Sequence, residues 1–419
     1  MASRAAIQNE ALRLSAFAYG DSVYRDYADF LIGVNRPVEA LQLLDRSRAR
    51  TLEEGLGVDK SKPDTKGAQA ADARAVARGL NAPILFYSLG TEKSYLWVIT
   101  ARETRLFTLP KRTVIQAMVE KYQRAIQKSL DPLQTADAAG ISLYDVLIKP
   151  AAAMIPAGSK VFLIPDGILH ALNFETLLEP AAEGFQYWID DVTVTTSSSI
   201  GILSRLNVAA ADTATRDLLL IGNPMSAGSE FQALPNASAE IVRVGQHFSP
   251  EGQSVLTQAR AIPAAYEASA PGQFRYIHFV AHGTASLLSP LDSAVVLSPA
   301  PNHLENFKLY ARDIVQHPLH ARLVTISACY GSGLRTYAGE GLVGLAWAFL
   351  RAGSHNVIGA LWEVDDASTP MLMDRLYGEI QAGKTPDAAL RAAKLSLIHS
   401  SNVYRKPFYW GAFQLYAGG

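Results

Sequence analysis

Apolar residues along this chain follow two rhythms, and the change between them divides it. From about residue 8 to 55 the spacing is helical: Tyr24, Tyr27, Ala28, Phe30 and Leu31 recur at three- and four-residue intervals, as do Val38, Ala40, Leu41, Leu43 and Leu44. Gly33-Val34-Asn35-Arg36-Pro37 separates the two sets, and Pro37 suits the first position of the second helix. The polar stretch Lys60-Ser61-Lys62-Pro63-Asp64-Thr65-Lys66-Gly67 and the Ala/Arg-rich run after it predict a linker over 57–79 that passes into a helix.

Beyond residue 80 the rhythm shortens. Apolar runs at 84–89 and 94–100 predict a hairpin with a third strand at 104–109, then helices at 113–130 and 142–149 and strands at 161–164 and 192–195. After a polar loop near 209–216, strands and helices alternate. Strands are predicted at 218–221, 254–257, 274–280, 323–327 and 356–361, with helices at 238–247, 262–269, 341–352 and 368–381. That alternation predicts an α/β fold, a mostly parallel sheet flanked by helices.

Two of these strands carry candidate chemistry. One ends in Val280-Ala281-His282-Gly283, the other in Ser327-Ala328-Cys329-Tyr330-Gly331. Parallel strands buried on both faces are apolar throughout, and chemistry gathers at their carboxyl ends. Adjacent ends would join an imidazole to a thiol, so that His282 takes the proton of Cys329 and the thiolate attacks. Gly283 lets the backbone approach a substrate, and its N–H with that of Cys329 would face a developing oxyanion. Taken singly, a strand-end histidine is as readily structural, and a lone cysteine as readily a small buried hydrophobe.

Composition narrows the function. The 419 residues fit two or three domains, and 49% hydrophobic with 18% charged residues is the balance of a soluble globular protein. A net charge of −1 gives no reason to expect direct nucleic-acid binding or an acidic membrane surface. The single cysteine excludes an internal disulfide, and the first residues lack the apolar core of a secretory signal, so a cytoplasmic protein is expected. His278 reads as buried packing, and His317-Pro318-Leu319-His320 lacks the further ligands of a zinc set, so no metal is expected. No phosphate-binding Gly-Lys-Ser/Thr motif occurs, and Gly-x-Ser-x-Gly is absent around Ser327.

Longer segments carry a family resemblance. Ser327-Ala328-Cys329-Tyr330-Gly331-Ser332-Gly333, Gly339-Glu340-Gly341-Leu342-Val343-Gly344, Gly359-Ala360-Leu361-Trp362-Glu363-Val364-Asp365-Asp366, Leu163-Ile164-Pro165-Asp166-Gly167-Ile168-Leu169-His170 and Leu218-Leu219-Leu220-Ile221-Gly222-Asn223-Pro224 together look like a CHAT domain. This is the caspase-like protease family often fused to tetratricopeptide repeats, and more distantly the chain is similar to separase. His282 precedes Cys329 by 47 positions, against roughly 50 in the caspase pattern.

The resemblance implies a degenerate caspase-like half over 80–215 and an active half over 216–419. Residues 1–56 resemble one tetratricopeptide unit with Ala28 and Ala40 at its small-residue positions; such a unit either belongs to a longer repeat protein or caps the catalytic body. The implied activity is that of a cysteine endopeptidase with no cofactor. In separase and related members an acidic residue after the Leu-Trp strand receives a basic substrate side chain, and Asp366 falls there with Asp365 and Glu340 beside it. The other reading has Glu363, Asp365 and Asp366 simply capping the helix from Ser368. Implied partners are a protein substrate and an activating protein or RNA-guided effector acting through the N-terminal helices, in bacterial defence or programmed death. An inert caspase-like scaffold, or a hydrolase of small amides or esters, remains as a rival.

Overall fold

Strands that are apolar on both faces need cover on both sides. The computed structural model describes residues 23–48, 72–206, 214–226, 230–286, 289–301, 303–328, 335–337 and 341–418, and in it one central sheet receives that cover. The helical start comprises α1 (residues 23–33) and α2 (Pro37–Ser47), and α3 (Ala73–Leu80) follows. The first half then runs β1 (Ile84–Ser88), β2 (Ser94–Ile99), β3 (Thr104–Leu109), α4 (Arg112–Gln127), α5 (Ala138–Leu147), β4 (Lys160–Ile164) and β5 (Thr193–Thr196).

The second half continues with β6 (Arg216–Gly222), α6 (Ala237–Gly245), β7 (Gln253–Thr257), α7 (Pro263–Ala268) and β8 (Phe274–Val280). A small antiparallel sheet follows from β9 (His282–Thr284), β10 (Ala294–Val296) and β11 (Lys308–Tyr310). After β12 (Leu323–Ser327) come the hairpin β13 (Arg335–Tyr337) and β14 (Gly341–Val343), α8 (Leu345–Ala352), β15 (Asn356–Ala360), α9 (Thr369–Gln381), α10 (Pro386–Ile398) and β16 (Phe413–Ala417).

Among the described residues the central sheet has 11 strands in the order β3-β2-β1-β4-β5-β16-β15-β12-β8-β6-β7. Neighbours are parallel except where β1 meets β2, β2 meets β3, and β15 meets β16. The last strand is the seam: β16 pairs with β15 of its own half and with β5 of the first. Alternation along the strands divides the core between two faces. Leu85, Tyr87, Leu218 and Leu220 share one continuous core with residues of α4, α5, α6, α9 and α10, so this face runs unbroken through both halves. On the other face Leu219, Ile221 and Ile277 pack with α7, α8 and the small sheet, while Ile84 and Phe86 pack with the helical start.

That last cluster decides how the N-terminal helices sit. Ala28, Leu31, Ala40, Leu41 and Leu44 are buried against Ile84, Phe86, Trp97 and Phe162, and the Trp97 indole donates to the Pro37 carbonyl at 2.9 Å. The turn between α1 and α2 holds Asn35 in the left-handed region with φ 60°. Tyr27, Phe30 and Val38, read as part of the helical pattern, instead face outward, each at least half exposed. A helix starting at Gly341 is corrected: Gly341–Val343 is a strand, and α8 begins at Leu345. A three-residue apolar run has no period that distinguishes strand from helix. Among the described residues no helix is long and apolar enough to cross a membrane.

Candidate active site

The site is built at the carboxyl end of β8. Tyr276 to Val280 pair in parallel with Leu323 to Ser327, and the Ala281 N–H donates to the Ser327 carbonyl at 3.3 Å. Val280 and Ser327 therefore lie opposite each other, and His282 and Cys329 each follow two residues later. On the other flank β6 ends at Gly222, where a Cβ would sit 2.5 Å from the Val280 carbonyl oxygen. Only a residue without a side chain fits there. Asn223 then donates its N–H to the Val280 carbonyl at 2.9 Å.

Residues 230–236 set the tautomer of the histidine. His282 Nε2 lies 2.7 Å from the carbonyl oxygen of Gln232. A carbonyl only accepts, so Nε2 carries the proton and Nδ1 keeps its lone pair. Phe231 packs on the imidazole with ring centroids 5.9 Å apart. His282 is half-buried, and Gly283 beside it pairs with Val295. The imidazole is thus fixed in orientation with one nitrogen ready to accept a proton.

The same segment reaches the predicted acidic pair. Asp366 Oδ2 accepts from the backbone N–H of Asn236 at 2.9 Å and from its side-chain amide at 3.0 Å, where α6 begins. Asp365 Oδ1 accepts from the N–H groups of Ala367 and Ser368 at 3.2 and 2.8 Å, and so closes the turn that leads into α9. Asn236 follows Gln232 by four positions, so the base and Asp366 are tied to one short stretch of chain. Cys329 and Glu340 lie outside the described residues. His278, on β8, is fully buried between Glu240 at 2.9 Å and Tyr377 at 3.1 Å, and so belongs to the packing beneath the site. Among the described residues no cluster of His, Cys, Asp or Glu has the makings of a metal site.

The CHAT domain model matches residues 137–418. The chain belongs to the CHAT-domain family. Tetratricopeptide repeat protein 28 of Homo sapiens is 24% identical over 329 residues, which span 65% of this chain and 13% of that protein, and the Mus musculus protein matches to the same extent. In the separase–securin complex of Saccharomyces cerevisiae, the matched chain superposes on 91% of this CHAT protein with a TM-score of 0.60 and 11% identity, over 34% of its own length. The CHAT fold here is accordingly caspase-like.

A second polar centre of this CHAT protein lies where β4 ends. Asp166 takes a bidentate pair from Arg25 of α1, at 2.6 and 3.0 Å, and the Leu89 N–H at 2.7 Å; Arg48 stands 3.9 Å away. Burial pushes the Asp166 carboxyl up, but Arg25, Arg48 and the Leu89 N–H together outweigh it and hold it well below the usual carboxylate range. Asp166 opens the turn Gly167–Ala171, and the hairpin of β13 and β14, next in sequence after Cys329, packs on that turn. Within the turn burial lowers the His170 imidazole to about 4.

Sequence reasoning quoted Asp166 only as part of a signature and passed over Gln232 and Phe231. A backbone carbonyl has no residue signature, so nothing in the sequence marks Gln232.

Proposed function

We propose that this CHAT protein is a cysteine endopeptidase in which Cys329 attacks the scissile carbonyl of a protein substrate. His282 Nδ1 takes the thiol proton and returns it to the leaving amine, and the N–H groups of Gly283 and Cys329 bind the oxyanion. The observation that carries this reading is the register of β8 on β12 together with the His282–Gln232 bond: one strand ends at an oriented base, and the nucleophile follows the end of its neighbour. The residue before the cut is Arg or Lys, received by Asp366 with help from Glu340 or Asp365. Oδ2 of Asp366 is engaged by Asn236, which leaves Oδ1 for the substrate cation.

The Asp166 centre supports control by a partner. A protein or RNA-guided effector engaging α1 and α2 acts on Arg25 and Arg48, through them on the turn at Asp166, and so on the hairpin after Cys329. The cellular setting, on family resemblance, is cytoplasmic bacterial defence or programmed death.

Cys329→Ala and His282→Ala each lower peptide cleavage by on the order of 10⁴-fold, since removing one member of such a pair costs nearly as much as removing both. Alkylation of Cys329 by iodoacetamide slows in His282→Ala. Cleavage retained in purified Cys329→Ala ends the cysteine-peptidase reading, and no cleavage of any peptide by the wild type leaves the scaffold.

A further inference from the structure

Opposite residues of an antiparallel pair stand on the same face, and the register of the small sheet aligns His282 with Val296 and Val296 with Lys308. The candidate base and Lys308 therefore share a face two strands apart, roughly 10 Å between backbones. Phe231, which packs on His282, also lies 6.2 Å from Phe307 between ring centroids. The Lys308 ammonium sits 5.6 Å from the Phe231 ring and 5.4 Å from the Phe307 ring. Base, two aromatic rings and cation thus form one continuous surface.

Lys308 is half-buried, yet among the described residues no carboxylate pairs with it. Four lysines, Lys149, Lys160, Lys384 and Lys394, each hold an Asp or Glu, whereas Lys308 is fixed over aromatic rings instead. The nearby acids do not serve Lys308. Glu305 pairs with His303 at 3.4 Å, and Glu230, beside Phe231, is exposed. Aromatic faces orient an ammonium but do not neutralise it. A cation held in place and left without a counter-ion beside a reaction centre attracts an anionic ligand group.

We propose that Lys308, on its shelf of Phe231 and Phe307, is a specificity residue that receives an acidic side chain of the substrate. This rests on the reading of His282 as the base. An extended peptide rises about 3.3 Å per residue, so a carboxylate roughly 10 Å from the base belongs two to four residues from the cut. The substrate class is then a peptide with an acid at one fixed position near the scissile bond, a position separate from the one that faces Asp366.

A peptide library offered with amidated and with free carboxyl ends tests this, with cuts mapped by mass spectrometry. The wild type selects Asp or Glu at one position within four residues of the cut in both sets, and Lys308→Glu exchanges that preference for Lys or Arg, with a 10- to 100-fold fall in kcat/KM on the matched acidic peptide. An unchanged profile in Lys308→Glu, or an acid required only as a free chain end, overturns the proposal. Alkylation supplies a readout independent of turnover, because Cys329 is the only cysteine. Lys308→Met lowers the ratio of iodoacetate to iodoacetamide labelling several-fold. If that ratio follows Lys308 while His282→Ala leaves both rates unchanged, the subsite stands and the base assignment fails; if His282→Ala slows labelling and the ratio ignores Lys308, the base stands and the subsite fails.

Discussion

The strand ends of the two halves are finished in opposite ways. Where β4 ends, the Asp166 carboxylate takes two bonds from Arg25 and one from Leu89, with Arg48 behind it, and the helices α1 and α2 close over the group. Where β8 ends, among the described residues His282 has a partner for one nitrogen only and Lys308 has no carboxylate, and both are half-buried. Buried polar groups that complete one another hold a structure together, whereas oriented groups left with an open valence are placed for a ligand. One sheet therefore carries a closed end and an open end, with β16 as the seam between them.

Substitutions at the two ends should separate stability from activity. His282→Ala removes cleavage yet shifts unfolding by no more than about 1 kcal/mol, because the ring is half-buried and its lost bond is to a carbonyl near solvent. Asp166→Ala leaves Arg25 and Arg48 facing a buried gap and costs about 3–5 kcal/mol in urea unfolding. A stable Asp166→Ala would break the comparison, since the closed end would then hold nothing together.

The closed end should also respond to acid. His170 is buried, and its folded value of about 4 lies below the ordinary 6.5. Between those values the unfolded chain binds the extra proton, so the stability His170 confers is complete above pH 6.5 and is lost as pH falls towards 4. The size is about 3 kcal/mol. Asp166 has the usual carboxylate sign: its folded value is depressed, so its contribution is present above the ordinary 3.8 and is lost only as pH falls below that. Burial pushes the Glu179 carboxyl up to about 7, a linkage of opposite sign over the same range, so the readout is the difference between the two proteins. In urea titrations from pH 7 to 4 the wild type should lose stability relative to His170→Phe, and a difference that does not change with pH assigns the acid sensitivity elsewhere.

How far these ends could be read beforehand depended on burial and on distance along the chain. The strands at 218–221, 274–280 and 323–327 were legible because burial on both faces writes them as unbroken apolar runs. The seam strand Phe413–Ala417 was not foreseen; Gln414 interrupts its apolar run, and its side-chain amide N–H donates to the Thr196 hydroxyl across the seam. Arg25 and Asp166 lie 141 residues apart, and no local period connects them. Lys308 stands in no motif, and its relation to His282 exists only through the register of three short strands. Asp365 and Asp366 were legible as a pair, with capping and substrate recognition left as alternatives, and the coordinates separate their bonding partners.

The smallest expected effects bear on that pair. Asp365 accepts the N–H groups of Ala367 and Ser368, so Asp365→Ala should cost about 1 kcal/mol, as loss of a turn-closing hydrogen bond does, with little change in which bonds are cut. Asp366→Asn is the sharper probe. An asparagine oxygen still accepts from Asn236, so unfolding should move by less than about 0.5 kcal/mol while the negative charge disappears. If the charge receives a basic side chain, selectivity for Arg or Lys before the cut falls by roughly 30-fold or more, because a cation then enters the pocket without a counter-ion. Selectivity unchanged in Asp366→Asn, measured on matched Arg and Gln peptides, would make Asp366 a cap of α6 and nothing more. The open end would then owe its preference to Lys308 alone.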